Sequence, residues 1–377
     1  MPIDRELSFD SPDTSNQKGH RLFTNKTQVF PDDWSPQDDL DELSATFSTL
    51  WNDLGGSAIF LTGGTGTIGR WLLEAICHAN QKLGLDISVS VLSRYPDKVS
   101  GLISDLRGDR YITFLPGDVT NFDWPKRQFT HVIHGATSSS TKLNQDDPIE
   151  MFNTIVRGTQ NVLEMSKHAG VSRFLLLSSG AVYGPQPDEV SLVDEGQPTA
   201  PNTTDSSYVY GEAKRAAEML CSIYTNKFEI QTVLARIFAV VGPGMPLDQH
   251  FAIGNLIGDS LSGRNIEILG TGKPIRSYLY LADVAYWLLK MLVDGKSGSA
   301  YNVGSEREIS LRDLADLVSK TLGGSGVTVR GQGEKGPNPG RYVPSTAKAR
   351  EELGLRESFT LQEAILRTAT WYRSTHG

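Results

Sequence analysis

The sequence is poor in cysteine, in long apolar runs and in positive charge. Its 377 residues include only two cysteines, Cys77 and Cys221, and both lie among apolar neighbours in helical patterns. Such thiols are typical of a reduced protein core, so we expect no disulfide and a cytoplasmic protein. The excess of acidic residues gives a net charge of −8. This charge argues against nucleic acid or an anionic membrane surface as a partner.

Membrane spans and targeting signals are also missing from the pattern. No stretch approaches the ~20 consecutive apolar residues of a membrane-spanning helix. The polar start lacks the apolar run of a signal peptide. We therefore expect no membrane partner, and we assign no metal ligands.

A glycine-rich turn follows the first buried apolar run of the chain. Residues 58–61 are apolar throughout, which is typical of a strand buried on both faces. Gly63, Gly66 and Gly69 come next, and an apolar helical stripe then runs from residue 68 to residue 77. This strand, turn and helix predict a dinucleotide site, because the glycines let the backbone approach a pyrophosphate at the helix start. An ordinary βα turn rich in glycine is the alternative.

Strand and helix patterns alternate along most of the chain, which predicts an α/β doubly wound parallel sheet, the Rossmann fold. The later strands are predicted at 88–92, 112–115, 131–134, 173–177, 231–237 and 300–303. Helices are predicted at 151–169, 210–225, 251–262, 283–294, 310–322 and 360–373. The motifs discussed below follow strand ends, so we expect them to share one edge of the sheet.

The same patterns predict three parts in the chain. Residues 1–55 form an N-terminal extension, irregular up to about residue 35 and followed by one helix with Ser35 as its N-cap. Residues 56–241 plus about 278–304 form the Rossmann domain, and 242–277 plus 305–377 form a smaller, discontinuous substrate-binding lobe. We expect the apolar face of the N-terminal helix to pack on the domain edge or on a partner subunit.

Tyr210 and Lys214 form a Y-x-x-x-K pair near the start of a predicted helix, where residues four apart share one face. A tyrosine pKa of about 10 must fall by about 3 units, or roughly 4 kcal/mol, before the phenol acts as a base near pH 7. An ammonium ~4 Å away at an effective dielectric constant of about 20 supplies that much. We therefore predict that Lys214 lowers the pKa of Tyr210. A chance pair is the alternative, and Tyr208, with Glu212 one turn on, lacks the cation.

Ser178 and Ser179 follow the predicted strand at 173–177 and precede Gly180, Ala181 and Tyr183. A hydroxyl at this strand end can hydrogen-bond a reacting oxygen beside Tyr210. A strand-end cap is the alternative for an isolated serine pair. Beside the glycine turn and the tyrosine–lysine pair, we favour the catalytic interpretation.

Together these residues resemble the extended short-chain dehydrogenases, the NAD-dependent epimerase/dehydratase family that modifies nucleotide sugars. The resemblance runs from about residue 56 to the C-terminus. The matching segments are the T-G-G-T-G-T-I-G turn, Asp118-Val119, His134-Gly-Ala136, Ser179, Tyr210/Lys214, Arg236-Ile-Phe-Ala-Val-Val-Gly-Pro, Arg276-Ser-Tyr-Leu-Tyr-Leu-Ala-Asp283-Val and Tyr301-Asn-Val-Gly304.

This resemblance implies roles for the matching residues. Tyr210 would be the acid/base, Lys214 would hold the nicotinamide ribose, and Ser179 would bind the reacting substrate oxygen. The cofactor-binding residues would be Gly63, Gly66, Thr67, Ile68, Gly69, Asp118, Val119, Gly135, Ala136, Tyr210 and Lys214. The substrate-binding residues would be Thr137, Ser179, Asn255 and Arg276, with the last two at the diphosphate of a nucleotide sugar.

The end of the second strand departs from the pattern expected for NAD. An acid about 20 residues beyond the glycine turn would bind the ribose 2′-OH of NAD, but the chain has Ser93 and Arg94 there. We assign both to cofactor binding, because they suit a 2′-phosphate, and we favour NADP(H). The alternative is that Arg94 stacks on the adenine of NAD(H).

A second departure from the family pattern narrows the set of reactions that we expect the chain to catalyse. Dehydratases of the resembled family carry an Asp–Glu pair at the positions of Gly180 and Ala181, and neither of these residues can transfer a proton. We therefore expect an NADP(H)-dependent 4-keto-sugar reductase acting on a nucleotide-diphosphate sugar. A 4-epimerase with tightly bound NAD is the alternative, and a dinucleotide-sensing protein without turnover is a further one.

The resemblance also implies a homodimer. Two helices from each subunit of the resembled family commonly form a four-helix interface, and here these would be the helices at 151–169 and 210–225. Ile155, Leu163 and Met219 are the candidate contacts, with a core position as the alternative for each.

Overall fold

The structure, a computed structural model, describes residues 34–96, 106–137, 147–249, 251–324, 326–331 and 340–376. Its helices are Pro36–Thr46 (α1), Ser48–Leu54 (α2), Thr67–Leu83 (α3), Pro148–His168 (α4), Val209–Phe228 (α5), Ala252–Leu261 (α6), Leu281–Asp294 (α7), Leu311–Leu322 (α8), Ala347–Leu353 (α9) and Leu361–His376 (α10). Its strands are Ala58–Thr62 (β1), Ser88–Ser93 (β2), Ile112–Pro116 (β3), His131–His134 (β4), Arg173–Ser179 (β5), Gln231–Ile237 (β6), Val240–Val241 (β7), Ile266–Ile268 (β8), Ile275–Arg276 (β9), Leu279–Tyr280 (β10), Ser299–Val303 (β11), Ile309–Ser310 (β12), Val327–Val329 (β13) and Arg341–Tyr342 (β14). The irregular stretch predicted before Ser35 lies almost entirely outside the described residues.

Seven strands form one parallel sheet in the order β3-β2-β1-β4-β5-β6-β11. Every strand predicted for this sheet is present, so the α/β doubly wound fold is confirmed. The order of the strands turns back between β1 and β4. From β1 the chain adds β2 and β3 on one side, and from β4 onward it adds strands on the other side. In such sheets the ligand crevice opens at this reversal, beyond the carboxyl ends of the strands.

Both faces of the sheet are covered by helices. One apolar cluster joins α1, α2, α3 and α7 to the sheet, and a second joins α4 and α5 to its other face. Cys77 lies in the first cluster and Cys221 in the second, where both are buried and free. The parallel strands thus place all their carboxyl ends at one edge while the helices shield both faces.

The described part of the N-terminal extension, residues 34–55, packs on this same chain. Pro36 is the first residue of α1, and a capping box joins Ser35 to Asp38, as the sequence predicts. The prediction of one continuous helix was wrong, because the chain breaks at Phe47, between α1 and α2. Leu43 of α1 and Trp51 of α2 are both buried. The break lets both short helices contact α7.

The segments on either side of α7 build small sheets outside the seven-stranded one. Strands β12, β9 and β14 form one, β13 and β8 another, and β10 and β7 a third. The helices predicted in this part are present, and α9 was not predicted. The boundaries drawn between a Rossmann domain and a substrate-binding lobe stay a prediction. In the described part of the chain, no helix is long and apolar enough to cross a lipid bilayer.

Candidate active site

The glycine turn lies where β1 and β4 end side by side. Gly63 has a φ of +79°, and a Cβ there would lie 2.6 Å from the carbonyl carbon of Gly135. A Cβ on Gly69 would lie 2.2 Å from the Gly63 carbonyl oxygen. Only glycine fits these two positions, because one is a left-handed turn in close backbone contact and the other is a tight packing of helix on turn.

The start of α3 is open to an anion. Gly66 is its N-cap, followed by Thr67 and Ile68 as its first residues, and within the described residues no side chain caps this helix end. Thr65 and Gly66 are exposed. The free backbone N–H groups therefore fit the pyrophosphate of a dinucleotide, as the sequence predicts.

The ends of β2 and β3 bring the residues predicted to bind the adenosine half of the cofactor to one edge. Ser93 is buried, and its hydroxyl accepts from the Tyr95 N–H at 3.2 Å. Arg94 is exposed and acts electrostatically on Asp118. Burial opposes ionisation of Asp118, but hydrogen bonds from Thr120 and the charge of Arg94 together hold its pKa below the ordinary value. This edge fits an adenosine bearing either a 2′-hydroxyl or a 2′-phosphate.

A buried polar cluster follows β4. The Gly135 and Ala136 N–H groups donate to the Thr62 hydroxyl at 3.2 and 3.0 Å. The next residue, Thr137, has a buried hydroxyl without a hydrogen-bond partner among the described residues. A buried hydroxyl of this kind needs a partner. A bound cofactor or substrate at this edge would supply one.

His134 is held between two hydroxyls at the end of β4. Its Nδ1 lies 2.7 Å from the Thr62 hydroxyl, and its Nε2 lies 3.0 Å from the Thr159 hydroxyl. Burial, followed by the charge of Lys214, lowers its pKa to about 3. His134 is therefore neutral at physiological pH and serves to fix Thr62.

The three predicted catalytic residues meet at the end of β5. Ser179 is the last residue of this strand, and Tyr210 is the second residue of α5. The Ser179 hydroxyl accepts from the Ala181 N–H at 3.2 Å, and it acts to lower the pKa of the Tyr210 phenol. Lys214 is buried, and its Nζ lies 5.9 Å from the centre of the Tyr210 ring.

The structure does not show the predicted lowering of the Tyr210 pKa by Lys214. Burial raises the pKa of Tyr210, and the hydrogen bond with Ser179 acts in the opposite direction. The Lys214 ammonium donates to the Leu177 carbonyl at 2.8 Å rather than to the phenol. The geometry of this chain alone therefore keeps Tyr210 protonated.

A buried ion pair, missed by the sequence analysis, lies behind Lys214. Glu218, one helical turn further along α5, accepts from Arg236 at 2.7 Å and from the Ser178 hydroxyl at 2.5 Å. Burial lowers the pKa of Lys214 to about 8, and the charge of Glu218 opposes this shift. The i, i+4 spacing of Lys214 and Glu218 was the available signal.

The ion pair continues into a chain of hydrogen bonds. Arg236 donates to the Tyr183 hydroxyl at 2.9 Å, and that hydroxyl donates to the Asn302 side chain at 2.8 Å. Arg236 and Asn302 belong to two of the segments that carry the family resemblance. The chain of hydrogen bonds joins the ends of β5, β6 and β11 behind the catalytic residues.

The two predicted diphosphate ligands lie in different settings. Arg276 is half-buried on β9, where its Nη1 donates to the carbonyls of Ile275 and Gly340 at 2.8 and 2.7 Å. Asn255 is exposed on α6. Tyr342 of β14 pairs with Arg276 and was missed by the sequence analysis. Its ring lies 6.0 Å from the Arg276 guanidinium, and its hydroxyl reaches the end of β5.

We predict that Glu218→Gln changes the pH dependence of cofactor binding. Loss of the Glu218 charge lets burial depress the Lys214 pKa further below about 8, by roughly one more unit. As the pH rises, Lys214 loses its charge and NADPH affinity should fall. In Glu218→Gln this fall should begin at a lower pH than in the wild type, as measured by fluorescence titration from pH 6 to pH 9. The unpaired Arg236 should also destabilise the protein by roughly 2–4 kcal/mol.

Glu212→Gln is the matched control on the same helix. Its carboxylate lies 3.9 Å from Arg215, which is partly exposed, so its loss should change stability by less than about 1 kcal/mol. An unaltered pH profile of NADPH binding in Glu218→Gln, with the control also unaltered, would disprove the electrostatic link to Lys214.

Comparisons with known proteins agree with this geometry. Residues 59–304 match the NAD dependent epimerase/dehydratase family. UDP-glucuronic acid decarboxylase 1 of Xenopus tropicalis is 28% identical over 316 residues, which cover 84% of this chain and 72% of that protein. The dTDP-glucose 4,6-dehydratase of Streptomyces niveus is 26% identical over 322 residues, covering 84% of this chain and 92% of that protein.

Solved structures show the same fold. UDP-glucose 4-epimerase of Thermotoga maritima with UDP-glucose has a TM-score of 0.73 and 23% identity, over 85% of this chain and 100% of that one. The dTDP-glucose 4,6-dehydratase of Streptomyces venezuelae with NAD bound has a TM-score of 0.72 and 23% identity, over 85% of this chain and 98% of that one. With the glycine turn and the strand-end residues in place, the family match over residues 59–304 shows that this chain belongs to the NAD-dependent epimerase/dehydratase family.

Proposed function

We propose that the protein is an NADP(H)-dependent 4-keto-sugar reductase acting on a nucleotide-diphosphate sugar. The observation that carries the proposal is the grouping of Ser179, Tyr210 and Lys214 at the end of β5, beside the glycine turn. The two relatives described above act, by their names, on sugars linked to UDP or dTDP. The proposal assigns the same class of substrate to this chain.

The protonation state of Tyr210 supports the reductive direction. A bound nicotinamide cofactor would supply the hydride to the carbonyl carbon. The carbonyl oxygen then needs a proton, and a buried phenol whose pKa is raised holds one at neutral pH. Ser179, at the end of β5 beside Tyr210, would donate its hydroxyl proton to the same oxygen. Lys214 would bind the cofactor ribose.

Two residues beside this group support reduction over dehydration. Gly180 and Ala181 directly follow Ser179, and neither carries a group that can remove or deliver a proton. Elimination of water needs such a group next to the sugar ring.

A 4-epimerase is the second candidate. It needs the same serine, tyrosine and lysine, and an epimerase structure from Thermotoga maritima shares the fold. It would require Tyr210 to act first as a base, which the raised pKa disfavours in the absence of an oxidised cofactor. The cofactor would then be NAD(H), returned to its starting state in each turnover.

The proposal is tested by mass spectrometry of the copurified cofactor, followed by a nucleotide-sugar panel. The panel contains UDP- and dTDP-linked 4-keto sugars, the matching alcohols and UDP-glucuronic acid. Net NADPH oxidation with a keto sugar supports the reductase. Conversion without net cofactor change supports the epimerase, release of carbon dioxide from UDP-glucuronic acid indicates a decarboxylase, and cofactor binding without turnover indicates a sensing protein. The last three outcomes overturn the reductase proposal.

We predict that Tyr210→Phe lowers turnover by about a hundredfold or more, the scale of losing a general acid. Cofactor affinity should change little, because the variant keeps the aromatic ring beside the cofactor and loses only the phenol oxygen, which is assigned to the substrate. Tyr208→Phe, two residues earlier and outside the Y-x-x-x-K pair, is the control and should keep its activity. Equal losses in both variants would contradict the role of Tyr210.

Cofactor preference gives a separate prediction. A guanidinium can form charge-assisted hydrogen bonds to a 2′-phosphate, each contributing about 1.5–3 kcal/mol, or roughly one to two decades of affinity. Arg94→Ala should therefore weaken NADPH binding at least about tenfold and leave NADH binding nearly unchanged. Ser93→Asp should weaken NADPH binding further and improve NADH binding. Dissociation constants are compared at one salt concentration, because the contact is ionic.

Arg110→Ala is the control for this prediction. Arg110 is also near the surface, but it precedes β3 and so lies at the opposite edge of the sheet. It should leave both dissociation constants unchanged. A wild-type protein that already prefers NADH would show that Arg94 is not a phosphate ligand, and the epimerase would then be favoured.

We also propose a homodimer through α4 and α5. Ile155 and Leu163, two of the three predicted contacts, are buried in the core of the chain and cannot form an interface. The third, Met219, is 61% exposed, and Ile223, one turn further along α5, is 45% exposed. On α4, which packs against α5, Phe152 is also exposed. These side chains form an apolar surface that a second copy would cover.

We predict that the double variant Met219→Glu/Ile223→Glu is a monomer at micromolar concentration, where the wild type is a dimer. Two charges on each copy would meet their symmetry mates in the interface and disfavour association. Light scattering measures the mass. Leu269→Glu is the control, because Leu269 is exposed but follows β8, away from α4 and α5. A wild-type monomer would disprove the dimer.

A further inference from the structure

The short strand β14 carries a tyrosine into the catalytic centre. Tyr342 pairs with Arg276 of β9, and the Arg276 guanidinium donates to the Gly340 carbonyl at 2.7 Å. On the other side, the Val343 N–H donates to the Gln186 side chain at 2.9 Å. The Val343 carbonyl accepts from the Val193 N–H at 3.0 Å. Tyr342 is thus held by backbone contacts before and after it.

The Tyr342 side chain passes Phe238, directly after β6, and reaches the end of β5. Its ring packs on Phe238 with 4.5 Å between ring centres. A Cβ built on Gly180 would lie 2.6 Å from the Tyr342 hydroxyl and 2.7 Å from Cζ of Phe238. The phenol therefore occupies the space that a side chain at position 180 would need.

Tyr342 and the proposed catalytic acid are influenced by the same hydroxyl. The Tyr342 hydroxyl lies at Gly180, directly after Ser179, and the Ser179 hydroxyl acts to lower the pKa of both Tyr342 and Tyr210. Burial raises the pKa of Tyr342, with the hydrogen bond to Ser179 acting against this rise. The Tyr342 phenol is therefore protonated at neutral pH and can donate.

We propose that Tyr342 is a positioning residue for Ser179, whose hydroxyl it orients toward Tyr210 and the reacting oxygen. The inference deepens the proposed function, since it assigns a residue to the same reaction. It also explains the glycine at position 180. The phenol and Phe238 fill the place in which the resembled dehydratases carry the first of their two acids.

The hydrogen-bond capacity of a serine hydroxyl supports this role. A hydroxyl has two lone pairs and one proton. The Ala181 N–H already donates to one lone pair of Ser179 Oγ at 3.2 Å. A proton from Tyr342 would fill the other lone pair, so the single Ser179 proton is left for Tyr210 or the substrate. Without the Tyr342 hydroxyl, Ser179 can instead accept from Tyr210.

The consequence is measurable without a substrate. A hydrogen bond donated by Ser179 stabilises the phenolate of Tyr210, whereas one accepted from Tyr210 stabilises its phenol. Tyr342→Phe should therefore raise the pKa of the residue at position 210 by about 0.5–1 pH unit. Ser179→Ala should raise it as well, and Tyr342→Phe should add little in the Ser179→Ala background, because both changes remove the same hydrogen bond.

The experiment places 3,5-difluorotyrosine at position 210 by nonsense suppression. The fluorines lower the intrinsic pKa of the phenol, so that it titrates while the protein is folded, and ¹⁹F NMR follows the titration. Four proteins are compared: the parent, Tyr342→Phe, Ser179→Ala and the double variant. Tyr224→Phe is the control, since its hydroxyl bonds to Glu164 where α4 meets α5. It should leave the titration unchanged.

Each result decides the proposal. A rise in Tyr342→Phe that disappears in the Ser179→Ala background confirms it. An unchanged titration in Tyr342→Phe overturns it, and so does a shift that adds in full to that of Ser179→Ala. Because no substrate is present, the result is independent of whether the nucleotide-sugar panel gives turnover. If the reductase proposal holds, Tyr342→Phe should also lower kcat several-fold with little change in KM.

Discussion

The close contact of three strand ends is the constraint on which the site depends. A Cβ on Gly63 would strike the backbone of Gly135, and a Cβ on Gly135 would lie 2.7 Å from the side chain of Leu177. The carbonyl of Leu177 in turn accepts from Lys214. The glycine turn after β1, the end of β4 and the lysine on α5 are therefore positioned through one continuous contact. A larger residue at Gly63 would strike the backbone of Gly135 and so disturb the proposed cofactor site.

Buried charge behind this contact is balanced in pairs. Lys214 has lost its solvent, and the Glu218 carboxylate one turn away partly restores the stability of its charged form. Glu218 is itself held by Arg236, which reaches Tyr183. Replacing one member leaves a buried charge without its partner, which costs more than the pair contributes. The ion pair therefore links the pKa of Lys214 to the pairing of β5 with β6.

Local patterns predicted the seven strands of the main sheet, most helices and the serine, tyrosine and lysine that meet at the end of β5. These features depend on spacing within short segments. Long-range contacts were not predictable in this way. Tyr342 lies in an unremarkable Gly-Arg-Tyr-Val-Pro stretch, and only the pairing of β14 with β9 brings it to Ser179. The spacing of Tyr210 and Lys214 predicted a shared face correctly. It could not indicate that the ammonium would bond to Leu177, or that burial would dominate the pKa of the phenol.

The chemistry available at the end of β5 follows from what these contacts place there. Ser179, Tyr210 and Tyr342 supply hydroxyl groups, and burial raises the pKa of both phenols. Hydroxyls of this kind can protonate an oxygen, as hydride addition to a carbonyl requires. The removal of a proton from carbon, as elimination requires, needs a stronger base, and position 180 has no room for one beside Tyr342 and Phe238. The crowding at position 180 thus supports the proposed carbonyl reduction over dehydration.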